Sequence, residues 1–397
     1  MDSKKVLILG MGREGQATAK YLAMHRPDWE VDTADKNEPN YPDSLAAWDA
    51  VFITPGIPPH EPLLATAKEI TTATNLFLED CQGTVVGVTG SKGKSTTSSL
   101  INAMLPNSYL VGNIGVPGLE VLREHNEKEA IYVFEMSSAQ ASRLIKGPDL
   151  AVILNLFPEH LDYHGDVDEY FAAKMQITMT QTPENTVIYN AEWVEIMSRI
   201  GVSRAQKKTW TDVRVPDVEC ALLGEHNQEN IKAAIRAAEF LGASKEAISG
   251  GLAEFKPLPH RLELVGEFDG VKFYNDSIST APEATIAALD ALSEVSVLML
   301  GGLDRGYDFS ILVDAIKYKN IPYLVLFPET GARIKDLLGE FKGEILETES
   351  MEEAVTWARK RGASGTCCVL SPGSPSYNLY KNFEERGEAF KGALTTS

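Results

Sequence analysis

A chain of 397 residues with 44% hydrophobic content exceeds what one hydrophobic core usually supports, so two or three globular domains are expected. With 56 acidic residues against 37 Lys and Arg, the net charge of −19 excludes an electrostatic footprint for nucleic acid. It also repels anionic nucleotides at long range, so a nucleotide site here must supply its own cations.

No apolar run approaches the ~18 residues needed to span a bilayer. MDSKKVLILGMG runs directly into a strand pattern without a signal-peptide region. The four cysteines (Cys81, Cys220, Cys367, Cys368) lack metal-ligand spacing, and the neighbours Cys367 and Cys368 read as strand residues. The expectation is a reduced, cytoplasmic protein, by default a monomer.

Residues 4–80 form a small α/β pattern. A strand over 6–9 enters GMGREG at 10–15, which opens a helix to about Met24. A second strand ends near Asp35 and a third covers 50–57. G-x-G-x-x-G after a strand, with an acidic residue about 20 positions on, fits a dinucleotide fingerprint. The unit is short for that role, and Arg13 and Glu14 crowd the turn. It reads as a site for one nucleotide diphosphate or as a plain strand–helix turn.

Residues 84–255 alternate strands (85–88, 130–134, 150–154, 186–189) with helices (94–105, 169–180, 229–241), which argues for a mainly parallel sheet. The stretch 202–223 shows no clear period. After the proline-bracketed KPLPHR, strands at 271–274, 295–300, 323–327 and 367–370 continue the alternation. Glycine-bearing turns GGLDRG and SPGSPS follow two of them, at the strand ends where open α/β sheets bind ligands.

The chemistry centres on VVGVTGSKGKSTT, residues 85–97. An apolar strand, a turn with Gly90, Ser91, Lys92 and Gly93, and a helix from Lys94 form a phosphate-binding layout, shorter than G-x-x-x-x-G-K-S/T, whose first glycine would fall at Val88. The alternative is a generic glycine-rich turn with a surface lysine. Backbone N–H groups around Gly90 and Gly93 converge on a polyphosphate, helped by the helix N-terminus. Lys94 neutralises the phosphates, Ser95 ligates Mg²⁺, and Thr96 follows in the first turn.

Glu135 ends YVFEMSS, where a carboxylate either ligates the same Mg²⁺ or is a solvated surface group. His160, in ILNLFPEHLDYHG, stands with Asp162 and His164 in an H-x-D-x-H pattern open to zinc, to magnesium and phosphate, or to no role. Lys174, in EYFAAKMQI, reads by composition as a snorkelling lysine. In GEHNQEN the asparagines Asn227 and Asn230 suit a base contact, and a helix N-cap accounts equally well for Asn227 or its neighbour.

The ordered segments TGSKGKST, VGNIG, FEMSSAQ, LNLFPEHLDYHG, AAK, GEHNQEN, LPHR, NDS and LSP…NFEERG resemble the Mur ligase family across nearly the whole chain. The closing YKNFEERGEAF is most similar to the subclass that adds glutamate to UDP-N-acetylmuramoyl-L-alanine. The resemblance implies three α/β domains. They are a Rossmann-like uridine-nucleotide domain (1–82), a central P-loop ATPase domain with a parallel sheet (83–256) and a Rossmann-like glutamate-binding domain (257–397).

It further implies ATP-driven ligation through an acyl phosphate, with two Mg²⁺ sites. Lys94, Ser95 and Glu135 serve ATP and the first metal. His160 and a carbamylated Lys174 serve the second. Asn227, Asn230, Arg261 and Asp276 match adenine, phosphate and ribose contacts. Asn113, Ser137 and Gln140 match contacts to the muramoyl substrate, and Arg13, Glu14, Asp35 and Lys36 occupy the uridine-diphosphate region. Thr280, Arg305, Ser376, Tyr377 and Phe383 fall around the incoming glutamate.

Ile278 and Arg305 stand where the D-glutamate enzymes usually have lysine, and SPGSPSYN replaces a form close to SPACASLD. These departures resemble a sister subclass that adds L-glutamate. The chain is also shorter than usual in the first domain and near 202–223. A folylpolyglutamate synthase lacks a GMGREG domain. A nicotinamide-dependent dehydrogenase explains GMGREG and Asp35 but leaves TGSKGKST, Glu135 and the histidine loop without a role.

Overall fold

The computed structural model describes residues 3–36, 38, 41–159, 161–218, 220–222 and 224–396. It divides into two compact units, Met1–Cys220 with Gln228–Phe255, and Lys256–Ser397 with Ala221–Asn227.

The first unit holds two sheets. One comprises β1 (Lys5–Leu9), β2 (Glu30–Ala34), β3 (Ala50–Ile53) and β4 (Ile70–Thr71), in the order β2-β1-β3-β4 and parallel throughout. The other comprises β5 (Thr84–Thr89), β6 (Ser108–Gly112), β7 (Ile131–Glu135), β8 (Leu150–Ile153), β9 (Thr186–Tyr189) and β10 (Gln206–Thr209). Its order is β10-β9-β8-β5-β7-β6, again all parallel. The central strands are apolar along their whole length because helices cover both faces. One core cluster joins the two sheets, with Ile8, Tyr21 and Phe52 continuous with Phe77, Phe134 and Ile153.

In each sheet a strand lies between two later ones that depart in opposite directions. β1 sits between β2 and β3, and β5 between β7 and β8. These are switch points, where the loops beyond the strand ends diverge and leave a crevice. Both glycine turns of the sequence fall there.

The second unit is one sheet of β11 (Glu263–Phe268), β12 (Val271–Asn275), β13 (Val295–Gly302), β14 (Tyr323–Glu329), β15 (Glu344–Glu347) and β16 (Cys367–Leu370). The order is β11-β12-β16-β13-β14-β15, parallel except for the β11–β12 edge pair. Strand alternation sorts Leu298, Leu300 and Leu324 onto one face and Val297, Met299 and Val325 onto the other. It also sends Cys367 and Cys368 to opposite faces, as strand residues must be.

Several elements differ from the sequence pattern. The patternless 202–223 stretch contains β10, whose QKKT lacks apolar alternation because it is an edge strand paired only with β9. β6, β11 and β15 are likewise at sheet edges. β3 stops at Ile53, where the chain turns through an Ile57 N–H to Thr54 carbonyl bond. The helix expected from 229 begins at Glu225. No described helix is long and apolar enough to cross a membrane.

Candidate functional site

β5 feeds a turn at residues 90–93 and then the helix Lys94–Met104, whose N-cap Gly93 has φ 83°. A Cβ there would strike the Asn230 side chain as well as strain the backbone. Two amides of the turn are already committed. Ser91 N–H donates to the Asn155 carbonyl at 3.0 Å, and Lys92 N–H to Asn155 Oδ1 at 2.8 Å. Asn155 Nδ2 returns a bond to the Lys92 carbonyl at 3.1 Å. The Ser91 and Lys92 amides are therefore turned to Asn155, which leaves Gly93 and the first helical turn of Lys94, Ser95 and Thr96 as the part of the predicted phosphate-binding stretch outside this clamp. Lys92 itself turns outward to Glu159 at 2.5 Å. Thr96 is buried and Ser95 half-buried.

Lys94 Nζ folds over the loop onto the carbonyls of Gly90 and Ser91, 2.9 Å from each. Lys174, on the helix Val167–Met179, is 1% exposed and donates to the same Gly90 carbonyl at 2.9 Å. Its ammonium stands 4.6 Å from the centre of the Tyr170 ring, and the Tyr170 hydroxyl donates to Ser91 Oγ at 3.1 Å. Lys174 does not snorkel. Burial first, then the Lys94 charge, hold its pKa well below the ordinary lysine value.

β7 pairs with β5 so that Glu135 lies opposite Val88, immediately before the turn. Glu135 is 1% exposed, which removes the surface-group reading. Its Oε1 accepts from Asn113 Nδ2 at 2.8 Å, while Oε2 is buried with no hydrogen-bond partner among the described residues. A buried carboxylate oxygen left unpaired is costly unless a cation takes it, so this position fits a hard metal. His160 and the Asp162 side chain lie outside the described residues. His164 is buried and engages Ser138 Oγ at 2.8 Å.

A cavity of about 500 Å³ opens beyond β1, and Arg13, Glu14, Asp35, Lys36 and Asn113 all line it. Asp35 accepts from Met11 N–H at 2.8 Å, and Arg13 donates to the Gly115 carbonyl at 3.0 Å. Ser137 and Gln140 form a capping box on the short helix Ser138–Ala141. Gln140 Nε2 also donates to Glu14, whose carboxyl is pushed up by burial. The structure thus brings the four predicted uridine-diphosphate residues and Asn113 around one space, while Gln140 reaches it only through Glu14 and Ser137 does not line it. Asn230 is buried beside Gly93, and Thr97 Oγ1 lies 3.4 Å from its Oδ1.

In the second unit, Asn227 is in the first turn of the helix Glu225–Phe240, past the N-cap position it was offered. Asp276, at the end of β12, is buried; it accepts from Ser279 Oγ at 2.6 Å, Ser371 Oγ at 2.7 Å and Leu262 N–H at 3.2 Å. Burial pushes its carboxyl up to about 6, and the nearby Arg261 charge opposes that rise. Beyond β12, β13 and β16 stand Thr280, Arg305, Ser376 and Tyr377. The Arg305 guanidinium is 5.8 Å from the centre of the 59% exposed Tyr377 ring. Phe383 packs edge-on to His260, 6.0 Å between ring centres.

Sequence reasoning missed Asn155 and Arg386. Asn155 carried a signal, a polar residue closing the apolar run ILN beside the loop strand. Arg386, inside NFEERG, is 2% exposed, and nothing local announces a buried arginine there.

A glycine turn between a central parallel strand and a helix, backed by a buried carboxylate and a buried lysine, marks an α/β protein with its candidate site at a sheet switch point. Residues 88–213 match the Mur ligase middle domain and residues 260–374 the Mur ligase glutamate ligase domain. A UDP-N-acetylmuramoylalanine–D-glutamate ligase of Symbiobacterium thermophilum is 36% identical over 89% of this chain and 85% of its own. The ligase of the same name from Geobacillus kaustophilus is 34% identical over 98% and 97%. Among solved structures, a MurF ligase of Thermotoga maritima in complex with ADP aligns with TM-score 0.65 at 18% identity, covering 100% of this chain and 96% of that one. The UDP-N-acetylmuramate–alanine ligase MurC of the same organism gives 0.64 at 16%, with 99% of each covered. The chain belongs to the Mur ligase family.

Proposed function

We propose that this chain is an ATP-dependent ligase joining D-glutamate to UDP-N-acetylmuramoyl-L-alanine in peptidoglycan precursor synthesis, releasing ADP and phosphate. The observation that carries the reading is the phosphate loop flanked by Lys94, Glu135 and Lys174, in a chain 33–36% identical to ligases of that name.

A carboxylate is a poor electrophile until one oxygen becomes a leaving group. The alanyl carboxylate oxygen attacks the γ-phosphorus of ATP and the bond to ADP breaks, giving an acyl phosphate. The glutamate amine then attacks the carbonyl carbon, phosphate departs and the amine loses a proton. Such chemistry needs positioning and charge neutralisation above all.

Lys94, with the amides of the first helical turn, neutralises the transferring phosphate. Ser95 and the unpaired Glu135 oxygen suit one Mg²⁺, and His160 and Lys174 suit a second. When bound, the metal supplies positive charge at the phosphate oxygens. Carbamylation requires the neutral amine, and the depressed pKa of buried Lys174 supports it.

Asn227, Asn230, Arg261 and Asp276 serve the adenosine and phosphates of ATP. The cavity beyond β1 takes the uridine diphosphate, with Asn113, Ser137 and Gln140 toward the muramoyl group. Thr280, Arg305, Ser376, Tyr377 and Phe383 receive glutamate. The working arrangement is three domains, 1–82, 83–256 and 257–397, in a cytoplasmic monomer.

The test is phosphate release with ATP, Mg²⁺ and UDP-N-acetylmuramoyl-L-alanine, comparing the glutamate enantiomers. Release with D-glutamate is the expected result. Release with L-glutamate alone would move the chain to the sister activity suggested by Ile278, Arg305 and Tyr377, and no release with either would refute the reading.

A further inference from the structure

Arg386 lies in the C-terminal helix Phe383–Thr396 and is 2% exposed, so its guanidinium does not present itself to a ligand in the open loops. All three of its nitrogens donate, and each goes to a loop at the carboxyl end of the sheet. Nε reaches Ser277 Oγ at 2.9 Å, Nη2 the Ser277 carbonyl at 2.8 Å, and Nη1 the Ser374 carbonyl at 3.0 Å. Ser277 Oγ donates onward to the Phe383 carbonyl at 2.8 Å, closing the ring back onto the helix.

A third loop lies close to the same group and is bonded to its neighbour. A Cβ placed on Gly302, at the end of β13, would lie 3.2 Å from Arg386 Nη1, and Leu303 N–H donates to the Pro375 carbonyl at 2.8 Å. Arg386 therefore holds the loops after β12 and β16 directly, and the loop after β13 is tied to the β16 loop through Leu303. They carry Thr280, Arg305, Ser376 and Tyr377.

The acceptors around Arg386 are hydroxyl and carbonyl oxygens, and among the described residues no carboxylate forms an ion pair with it. The Asp276 carboxyl attracts it through space without touching it. A buried cation without a paired anion is unfavourable in a fold chosen for stability alone. Only partly compensated beneath a site, its charge favours an anionic occupant above it. Lysine cannot replace it, because one ammonium lacks the planar fork that reaches two loops at once.

We propose that Arg386 is a positioning residue for the incoming amino acid, fixing the three loops in mutual register and lending positive charge beneath the place where a dicarboxylic amino acid binds. This rests on the ligase reading above.

The experiment is steady-state kinetics on the full chain, varying each substrate in turn, for Arg386→Lys, Arg386→Met and Ser277→Ala. The expected result is a rise of ~10- to 100-fold in the glutamate KM for Arg386→Lys, with smaller changes in kcat and the KM values for ATP and the uridine nucleotide held within about twofold. Ser277→Ala, which leaves the arginine and its two carbonyl contacts in place, shows the same pattern reduced to ~3- to 10-fold. It carries the test if Arg386→Met does not fold. An unchanged glutamate KM in both Arg386→Lys and Ser277→Ala overturns the proposal. So does a parallel rise in all three KM values with a lowered Tm, the mark of a merely structural residue. A wild-type chain that turns over neither enantiomer refutes the ligase reading itself, an outcome distinct from both.

Discussion

Lys94 and Lys174 share one acceptor, the carbonyl oxygen of Gly90, which lies 2.9 Å from each ammonium. Two cations on one oxygen, one of them on a side chain 1% exposed, repel in a place where water screens little. Deprotonating the deeper lysine relieves the conflict, which is the direction in which its pKa is displaced.

A first prediction follows for Lys174→Met, which keeps the chain length and removes the ammonium. Since the folded pKa lies below 10.5, the unfolded chain binds more protons through the window beneath that value. Wild-type stability therefore rises with pH there and falls on acidification. The methionine variant lacks this dependence. It should be more stable than wild type near neutral pH, and its advantage should widen as pH falls below 10.5. Thermal melts in metal-free buffer depleted of carbon dioxide measure this. Phosphate release should fall at least ~100-fold in the same variant. A variant less stable than wild type at every pH would show that Lys174 is held for packing.

Asn155→Ala tests the clamp on the phosphate loop. It deletes the side-chain bonds to Lys92 N–H and to the Lys92 carbonyl, while the main-chain bond from Ser91 survives. The loss should cost about 1–2 kcal/mol of stability. It should raise the ATP KM about tenfold without altering the KM for glutamate, since the loosened turn belongs to the nucleotide site. Substrate-resolved kinetics would expose an error as an equal effect on all three substrates.

The strand–turn–helix from β5 was legible because its features are local, an apolar run, positive-φ glycines and a helix-forming segment. The depth of Lys174 was not. EYFAAKMQI is compatible with an exposed lysine, and only Gly90, 84 residues earlier, shows where the ammonium goes. The network of Asp276 is similarly distant, since Ser371 lies 95 residues on. β10 and β15 escaped because QKKT and EILE carry no apolar alternation at a solvent-facing edge. Cys367 and Cys368 were read as strand neighbours from a short apolar run, and the two faces of the third sheet agree. The ordered family motifs supplied what spacing could not, as with Lys174, which composition alone reads as a snorkelling lysine.

Glu135→Gln removes the charge but keeps the shape and the bond from Asn113. The buried Oε2 has no protein partner among the described residues, so the variant should fold at least as stably as wild type. Its requirement for metal should change instead. The Mg²⁺ concentration giving half-maximal phosphate release should rise at least ~10-fold, with kcat down ~100-fold. A magnesium titration of both proteins decides the matter, and an unshifted midpoint would remove Glu135 from the metal site.

Asp276→Asn separates the cost of a buried carboxylate from its use. The native pKa is about 6 against 3.8 for the free group, so between those values the folded chain binds more protons than the unfolded one. Stability contributed by this group is thus present at low pH and is lost as pH rises through the window, the reverse of a salt-bridged aspartate. Asparagine has no such dependence, and the Ser279 and Ser371 hydroxyls can rotate to accept from its amide. The variant should therefore gain on wild type by on the order of 2 kcal/mol between about pH 4 and about pH 7, read from urea midpoints at each pH. Activity should move the other way. If the ionised carboxylate holds the ribose of ATP, wild-type ATP KM rises as pH falls below about 6, whereas in the amide variant it stays high and flat. A wild-type ATP KM without that acid limb would leave Asp276 as a purely structural hub for the loops after β12 and β16.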